Sequence, residues 1–74
     1  MKYNVIMKLT VDCITSNEYP DKFTIGDLLR YMDVETVPWL IISVNDKFYK
    51  REKFDQTYLN DGDKIELIYV RGGG

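Results

Sequence analysis

Arg71, Gly72, Gly73 and Gly74 follow directly on the apolar run "IELIYV", and they set the first chemical question of this 74-residue chain. Residues without a Cβ can thread a narrow channel and let backbone approach a reactant closely. On that reading the Gly74 carboxylate is the working group, with Gly73, Gly72 and Arg71 as the segment that carries it into a partner. The plain alternative is a loose end or a leftover of cloning. The remaining inventory closes off other chemistries. There is no histidine and a single cysteine, Cys13, so the chain supplies no disulfide of its own, no Cys/His zinc site and no histidine-based triad. Cys13 itself reads as a packed small hydrophobe. Asp61 and Asp63 read as turn formers and solubilising charges, since their spacing matches no metal loop. No metal site and no catalytic residue are expected.

Length and composition narrow the function further. A single domain of this size buries a modest core and cannot easily also wall off a deep catalytic cavity, so a self-contained enzyme is not expected. With 45% hydrophobic and 30% charged residues the composition is that of a folding chain. The net charge is −2 and the pI about 4.9, with basic residues scattered among acidic ones. That balance argues against nucleic acid and against an anionic membrane surface as partners. The longest apolar run, "WLII", is too short to span a bilayer, and the alternating start "MKYNVIMKLTVDC" lacks the solid apolar stretch of a signal peptide. A cytoplasmic location and a monomer are expected.

The elements that must position the tail can be read from periodicity. In "YNVIMKLTV", Tyr3, Val5, Met7, Leu9 and Val11 share one face and Asn4, Lys8 and Thr10 the other, with Ile6 out of step, which predicts a half-buried strand. Pro20 and the turn formers of "TSNEYPDKF" require a second strand to lie at a sheet edge or to be short. In "FTIGDLLRYM", Thr24 can cap a helix with Asp27 at its third position, and Ile25, Leu28, Leu29 and Met32 form a buried stripe. Gly26 costs about 1 kcal/mol of helix propensity, less than the cap and stripe return. "WLIISV" suits a strand buried on both faces, Asn45 and Asp46 a hairpin turn into "KFYK", and "REKFDQTYL" a loop or one helical turn. After the punctuation "NDGD", Ile65, Leu67 and Tyr69 alternate with Glu66 in a last strand. Strand, strand, helix, strand, strand, strand makes an α+β fold, with a small mixed sheet packed on one helix. Trp39, Phe48, Tyr49, Phe54, Tyr58 and Tyr69 read as core or edge packing, with any exposed one an interface candidate.

Taken in order, "FTIGDLL", "SVNDKFYKREKF", "LNDGDKIELI" and the terminal glycines resemble the ubiquitin-like β-grasp sulfur carriers of the ThiS/MoaD family, over nearly the whole chain from Lys2 to Gly74. Asn45 after the buried strand and the stretch "KREKF" bring the likeness closer to ThiS, as do the short length and the lack of prolines before the glycines. Two departures stand out. Three glycines occupy a place where the family needs two, and Arg71 stands where a small or aliphatic residue is more usual.

The resemblance implies a β-grasp domain over residues 1–70 and a glycine tail over 71–74. It also implies a cycle in which an E1-like, ThiF-like adenylyltransferase activates the Gly74 carboxylate with ATP. A sulfur donor such as a cysteine desulfurase then yields a thiocarboxylate, and a ThiG-like thiazole synthase in thiamine biosynthesis accepts the sulfur. The chain would bind no cofactor itself, ATP being used by the activating partner, and would be a co-substrate and not an enzyme. Two other classes stay open: a ubiquitin-like modifier or protein-interaction module, including a small regulatory domain with an incidental tail, and a sulfur carrier for another pathway such as molybdopterin synthesis.

Overall fold

The structure, a computed structural model, describes residues 6–70. Tyr3 and Val5 of the predicted first strand, and the tail residues Arg71, Gly72, Gly73 and Gly74, lie outside that range. Within it the chain runs β1 (Ile6–Val11), β2 (Ile14–Pro20), α1 (Ile25–Tyr31), β3 (Leu40–Val44), β4 (Lys47–Tyr49), a 3₁₀ helix (Arg51–Gln56) and β5 (Lys64–Tyr69). The strands form one sheet in the order β2-β1-β5-β3-β4. β5 lies centrally, parallel to β1 and antiparallel to β3. This mixed sheet carrying one helix is the α+β arrangement expected from the order of elements and the β-grasp fold that the resemblance implies.

Alternation decides which side faces the helix. Met7, Leu9 and Val11 of β1 point inward with Leu40, Ile42 and Val44 of β3 and Ile65 of β5, whereas the out-of-step Ile6 is exposed. Ile25, Leu28 and Leu29 close the core from the helix side, all fully buried. A seven-residue helix is far below the roughly 12–15 residues that hold alone in water. Its stability therefore comes from that stripe, at about 1.5–3 kcal/mol per buried side chain.

Both ends of α1 are closed locally. Thr24 and Asp27 form a full capping box, with Asp27 N–H donating to Thr24 Oγ1 at 3.0 Å and Thr24 N–H donating to Asp27 Oδ2 at 3.0 Å. At the other end Asp33 adopts φ 59°. Its N–H donates to the Arg30 carbonyl, and the Val34 N–H donates to the Leu29 carbonyl. This is a Schellman closure with aspartate in the place glycine usually fills. Gly26 faces the 3₁₀ helix, and a Cβ there would meet the exposed carboxylate of Asp55, which would have to swing aside.

The hairpins use the same device twice. Asn45 and Asp46 (φ 53° and 72°) join β3 to β4, and Asp12 and Cys13 (φ 49° and 73°) join β1 to β2, each a two-residue turn of the primed type. The second turn corrects the expectation for Cys13. It is exposed at a hairpin tip and is not a packed hydrophobe. Residue type alone favoured burial, but the strand pairing Val11↔Ile14 leaves two positions for the turn, and Cys13 is one of them. As Pro20 demands, β2 lies at a sheet edge.

Candidate functional site

The proposed reactive residue Gly74, and Gly73, Gly72 and Arg71 before it, lie outside the described residues. What the structure places is the foot from which they depart. β5 brings Tyr69 opposite Leu40 of β3. One residue later, Val70 N–H donates to the Trp39 carbonyl at 2.9 Å. The backbone is thus held to β3 through residue 70. From there four residues span at most about 14 Å when fully extended, at roughly 3.3–3.6 Å each.

An open groove of about 950 Å³ lies beside that foot, lined by Pro38, Trp39, Ile41, Lys50, Arg51, Glu52, Tyr69 and Val70. Four parts of the chain build it: the loop entering β3, β3 itself through Ile41, the last residues of β5, and the junction of β4 with the 3₁₀ helix. Lys50 precedes the 3₁₀ helix in extended conformation (φ −93°, ψ 168°), which sets Arg51 and Glu52 on the groove's polar margin. Arg51 Nη1 donates to the Thr36 carbonyl at 3.4 Å, a long contact across to the loop before β3. Trp39, Tyr69 and Val70 are all exposed, at 55%, 51% and 44%.

These values correct the expectation that the aromatics are mainly packing. Phe54 is buried and Tyr49 packs half-buried against the core, but Trp39, Phe48, Tyr58 and Tyr69 are exposed. The physical reason is coverage. A single helix covers one face of the sheet, so rings on the far face or beyond the helix's reach remain in water. They become the interface candidates.

The opposite end of β5 has a different character. Asp63 is buried (7% exposed), and its carboxylate accepts from Asn45 Nδ2 at 2.8 Å and from the Asn60 N–H at 2.7 Å. Asn45 Oδ1 accepts from the Lys64 N–H at 2.9 Å. Asp61 Oδ1 accepts from the Lys8 N–H at 2.7 Å, and Gly62 N–H donates to the Lys8 carbonyl. Asp61 and Asp63 therefore bind the last loop to β1 and to the β3–β4 turn, a larger structural task than the turn-forming role expected. No group of three or more His, Cys, Asp or Glu among the described residues could hold a metal ion.

Sequence reasoning missed Lys50 and Arg51 as site residues, and it named Trp39 only as one of six aromatics that would be interface candidates if exposed. A signal was present: four of the ten cationic side chains, Lys47, Lys50, Arg51 and Lys53, fall within residues 47–53 against one carboxylate, Glu52. In a net acidic chain that is a local reversal of charge.

Comparison with known proteins agrees with this architecture. Two structures of a thiamine biosynthesis protein from Geobacter metallireducens share 32% sequence identity with the chain. The crystal structure, of ThiS, superposes with a TM-score of 0.77 over 92% of this chain and 100% of that one. The solution structure superposes with a TM-score of 0.69 over 92% and 88%. Two curated relatives, both the uncharacterized protein ycf40, are similar over 47 residues, at 38% identity in Porphyra purpurea and 40% in Pyropia yezoensis. The matched stretch takes in 64% of this chain and 65%, just under two thirds, of each relative. No helix among the described residues is long and apolar enough to cross a membrane. The family model for ThiS matches residues 2–74, through the sheet, the foot of the tail and the glycines alike, and the chain belongs to the ThiS family.

Proposed function

We propose that the protein is a sulfur carrier, most directly for the thiazole-forming branch of thiamine biosynthesis, and that the Gly74 carboxylate is its reactive group. The observation that carries this reading is the family match running through Gly74, together with a central strand whose last residues are held to β3 up to Val70. The domain acts as a handle, and residues 71–74 are what a partner takes up.

The chemistry is divided between carrier and partners. A carboxylate oxygen of Gly74 attacks the α-phosphorus of ATP in a ThiF-like adenylyltransferase, giving an acyl adenylate and releasing pyrophosphate. Sulfide sulfur then attacks the acyl carbon and expels AMP, leaving a thiocarboxylate. If the sulfur arrives as the persulfide of a cysteine desulfurase relay, the acyl disulfide formed must be reduced by a thiol before the thiocarboxylate is free. A ThiG-like synthase is the acceptor. The chain's own contribution is access: Gly73 and Gly74 place no Cβ near the acyl carbon, so nucleophile and nucleotide can approach it from opposite sides. It binds no cofactor, and it is a co-substrate and not an enzyme.

Intact mass before and after incubation with ATP, the adenylyltransferase, a cysteine desulfurase with cysteine, and a thiol reductant tests the reading. Replacement of one oxygen by sulfur, lost when Gly73 and Gly74 are removed, is expected. An unchanged mass with partners that modify their own carrier would overturn it. Appearance of a lysine-linked conjugate instead would assign the chain to the modifier class.

A further inference from the structure

We infer that the groove at the foot of the tail is a resting site for the chain's own terminus: residues 71–74 turn back over Trp39 and Tyr69 and set the Gly74 carboxylate against Lys50 and Arg51, which withholds it until a partner draws the tail out. The role as a latch rests on Gly74 being the group that reacts.

Reach makes the first case. The backbone is held to β3 through Val70, and Val70 itself lines the groove. A space of about 950 Å³ is roughly 10 Å across, and the four residues that follow span at most about 14 Å, enough to cross it. Charge makes the second case. The tail carries a cation at Arg71 and an anion at the Gly74 carboxylate, and the groove offers the complement, Glu52 beside Lys50 and Arg51. Those two cations are open to a new partner. Among the described residues the ion pairs join Arg30 to Asp27 and to Asp55, and Arg51 makes the long contact to the Thr36 carbonyl. Backbone freedom makes the third. A chain that stayed extended would run on past the start of β3, whereas turning back over a groove beside it calls for left-handed backbone, which glycine adopts without a Cβ clash. Gly72, Gly73 and Gly74 supply that freedom, which gives the third glycine a task of its own. Tethering supplies the strength. A short flexible link holds a group at an effective concentration on the order of millimolar, so a site too weak to capture a free carboxylate is still occupied for much of the time.

Both readouts use the full chain without any partner. The first is the titration of the Gly74 carboxyl, followed by NMR in protein labelled with carbonyl-¹³C glycine. A carboxylate set against cations keeps its charge to lower pH, so the midpoint in the unsubstituted chain should lie about 0.5 pH unit below that in Lys50→Gln/Arg51→Gln, with the gap closing in about 1 M salt. Lys22→Gln/Lys64→Gln removes the same charge from exposed positions away from the groove and should leave the midpoint in place. Gly72→Val keeps every charge but resists left-handed backbone, and it should raise the midpoint as the groove variant does. The second readout is Trp39, the chain's one tryptophan. A tail lying over it about half of the time shields it, so acrylamide quenching should rise roughly 1.3-fold or more in Lys50→Gln/Arg51→Gln and in Gly72→Val. Circular dichroism of each variant establishes folding.

A midpoint and a quenching constant that are the same in all these proteins overturn the inference, while the mass gain of one sulfur for oxygen would still support the carrier reading. A midpoint that moves equally in Lys22→Gln/Lys64→Gln overturns it too, since net charge and not the groove would then be acting. Shielding of Trp39 that fades on dilution places the tail of a second copy in the groove and overturns the intramolecular contact. If both readouts come out as expected but the mass stays unchanged with active partners, the carrier reading fails and the latch role is overturned with it.

Discussion

The two ends of β5 are built on opposite plans. At its start, Asp63, Asn45, Asn60, Asp61 and Lys8 close a hydrogen-bonded network in which every named carboxylate has a partner within the chain. At its finish, Trp39, Tyr69 and Val70 stand exposed around an open groove, and the backbone is held by the bond from Val70 N–H to the Trp39 carbonyl. Polar groups that are buried must be satisfied, which makes the first end rigid and specific. Apolar groups left in water lose free energy that a partner can recover, which makes the second end available. The end built from polar residues holds the fold together, and the end rich in apolar ones is the candidate for function, the reverse of what composition suggests.

Substitutions at the two ends should therefore separate stability from activity. The largest loss is expected for Asp63→Ala, which leaves the Asn45 amide and the Asn60 N–H without their acceptor. Hydrogen bonds to a charged group contribute about 1.5–3 kcal/mol each, so a drop of roughly 2–4 kcal/mol in urea unfolding follows. For a domain of this size that is a large share of the total. Asn45→Gly comes next, at about 1–2 kcal/mol. It relieves a non-glycine residue at φ 53° but discards the bonds to Asp63 and Lys64. A loss at Trp39→Ala equal to either of these would break the comparison.

The helix between the two ends adds a test by pH. The Thr24 backbone N–H, and after it the Arg30 guanidinium, hold the Asp27 carboxyl below its ordinary 3.8. A depressed carboxyl stabilises the fold above its unfolded-state value and loses that contribution as pH falls through the lower folded-state value. Acid unfolding of the native chain should accordingly steepen below pH 3.8, and Asp27→Asn should flatten that limb of the curve. Equal slopes in the two proteins would remove Asp27 from the account.

Gly26→Ala tests a smaller term. Alanine improves helix propensity by about 1 kcal/mol but displaces Asp55 from Arg30, an exposed pair worth about 0–1 kcal/mol. The single variant should lie within about 1 kcal/mol of the parent, and the same change in an Asp55→Ala background should be stabilising. Trp39→Ala completes the order with the smallest effect on stability, under about 1 kcal/mol, because the bond it would disturb is made by backbone.

Much of the fold was legible in the chain. Ile25, Leu28 and Leu29 at helical spacing, the pair Thr24 and Asp27, Pro20 and the Asn45–Asp46 turn are local signals, each acting within a few residues, and each does in the structure what its chemistry predicts. Cys13 was misread because its fate depends on register with β2. Four of the six aromatics were misread because their fate depends on which face the single helix covers.

Family membership, too, could be recognised from residues in order along the chain, since the motifs that mark it are short and sequential. Which residues surround the foot of the tail could not. Trp39, Arg51 and Tyr69 are separated by 12 and 18 positions. They meet because β5 pairs antiparallel with β3 and finishes where β3 begins, beside the junction that follows β4. Periodicity and turn chemistry are written over three or four neighbours at a time, whereas a groove is made by strands that are distant in sequence and adjacent in the sheet.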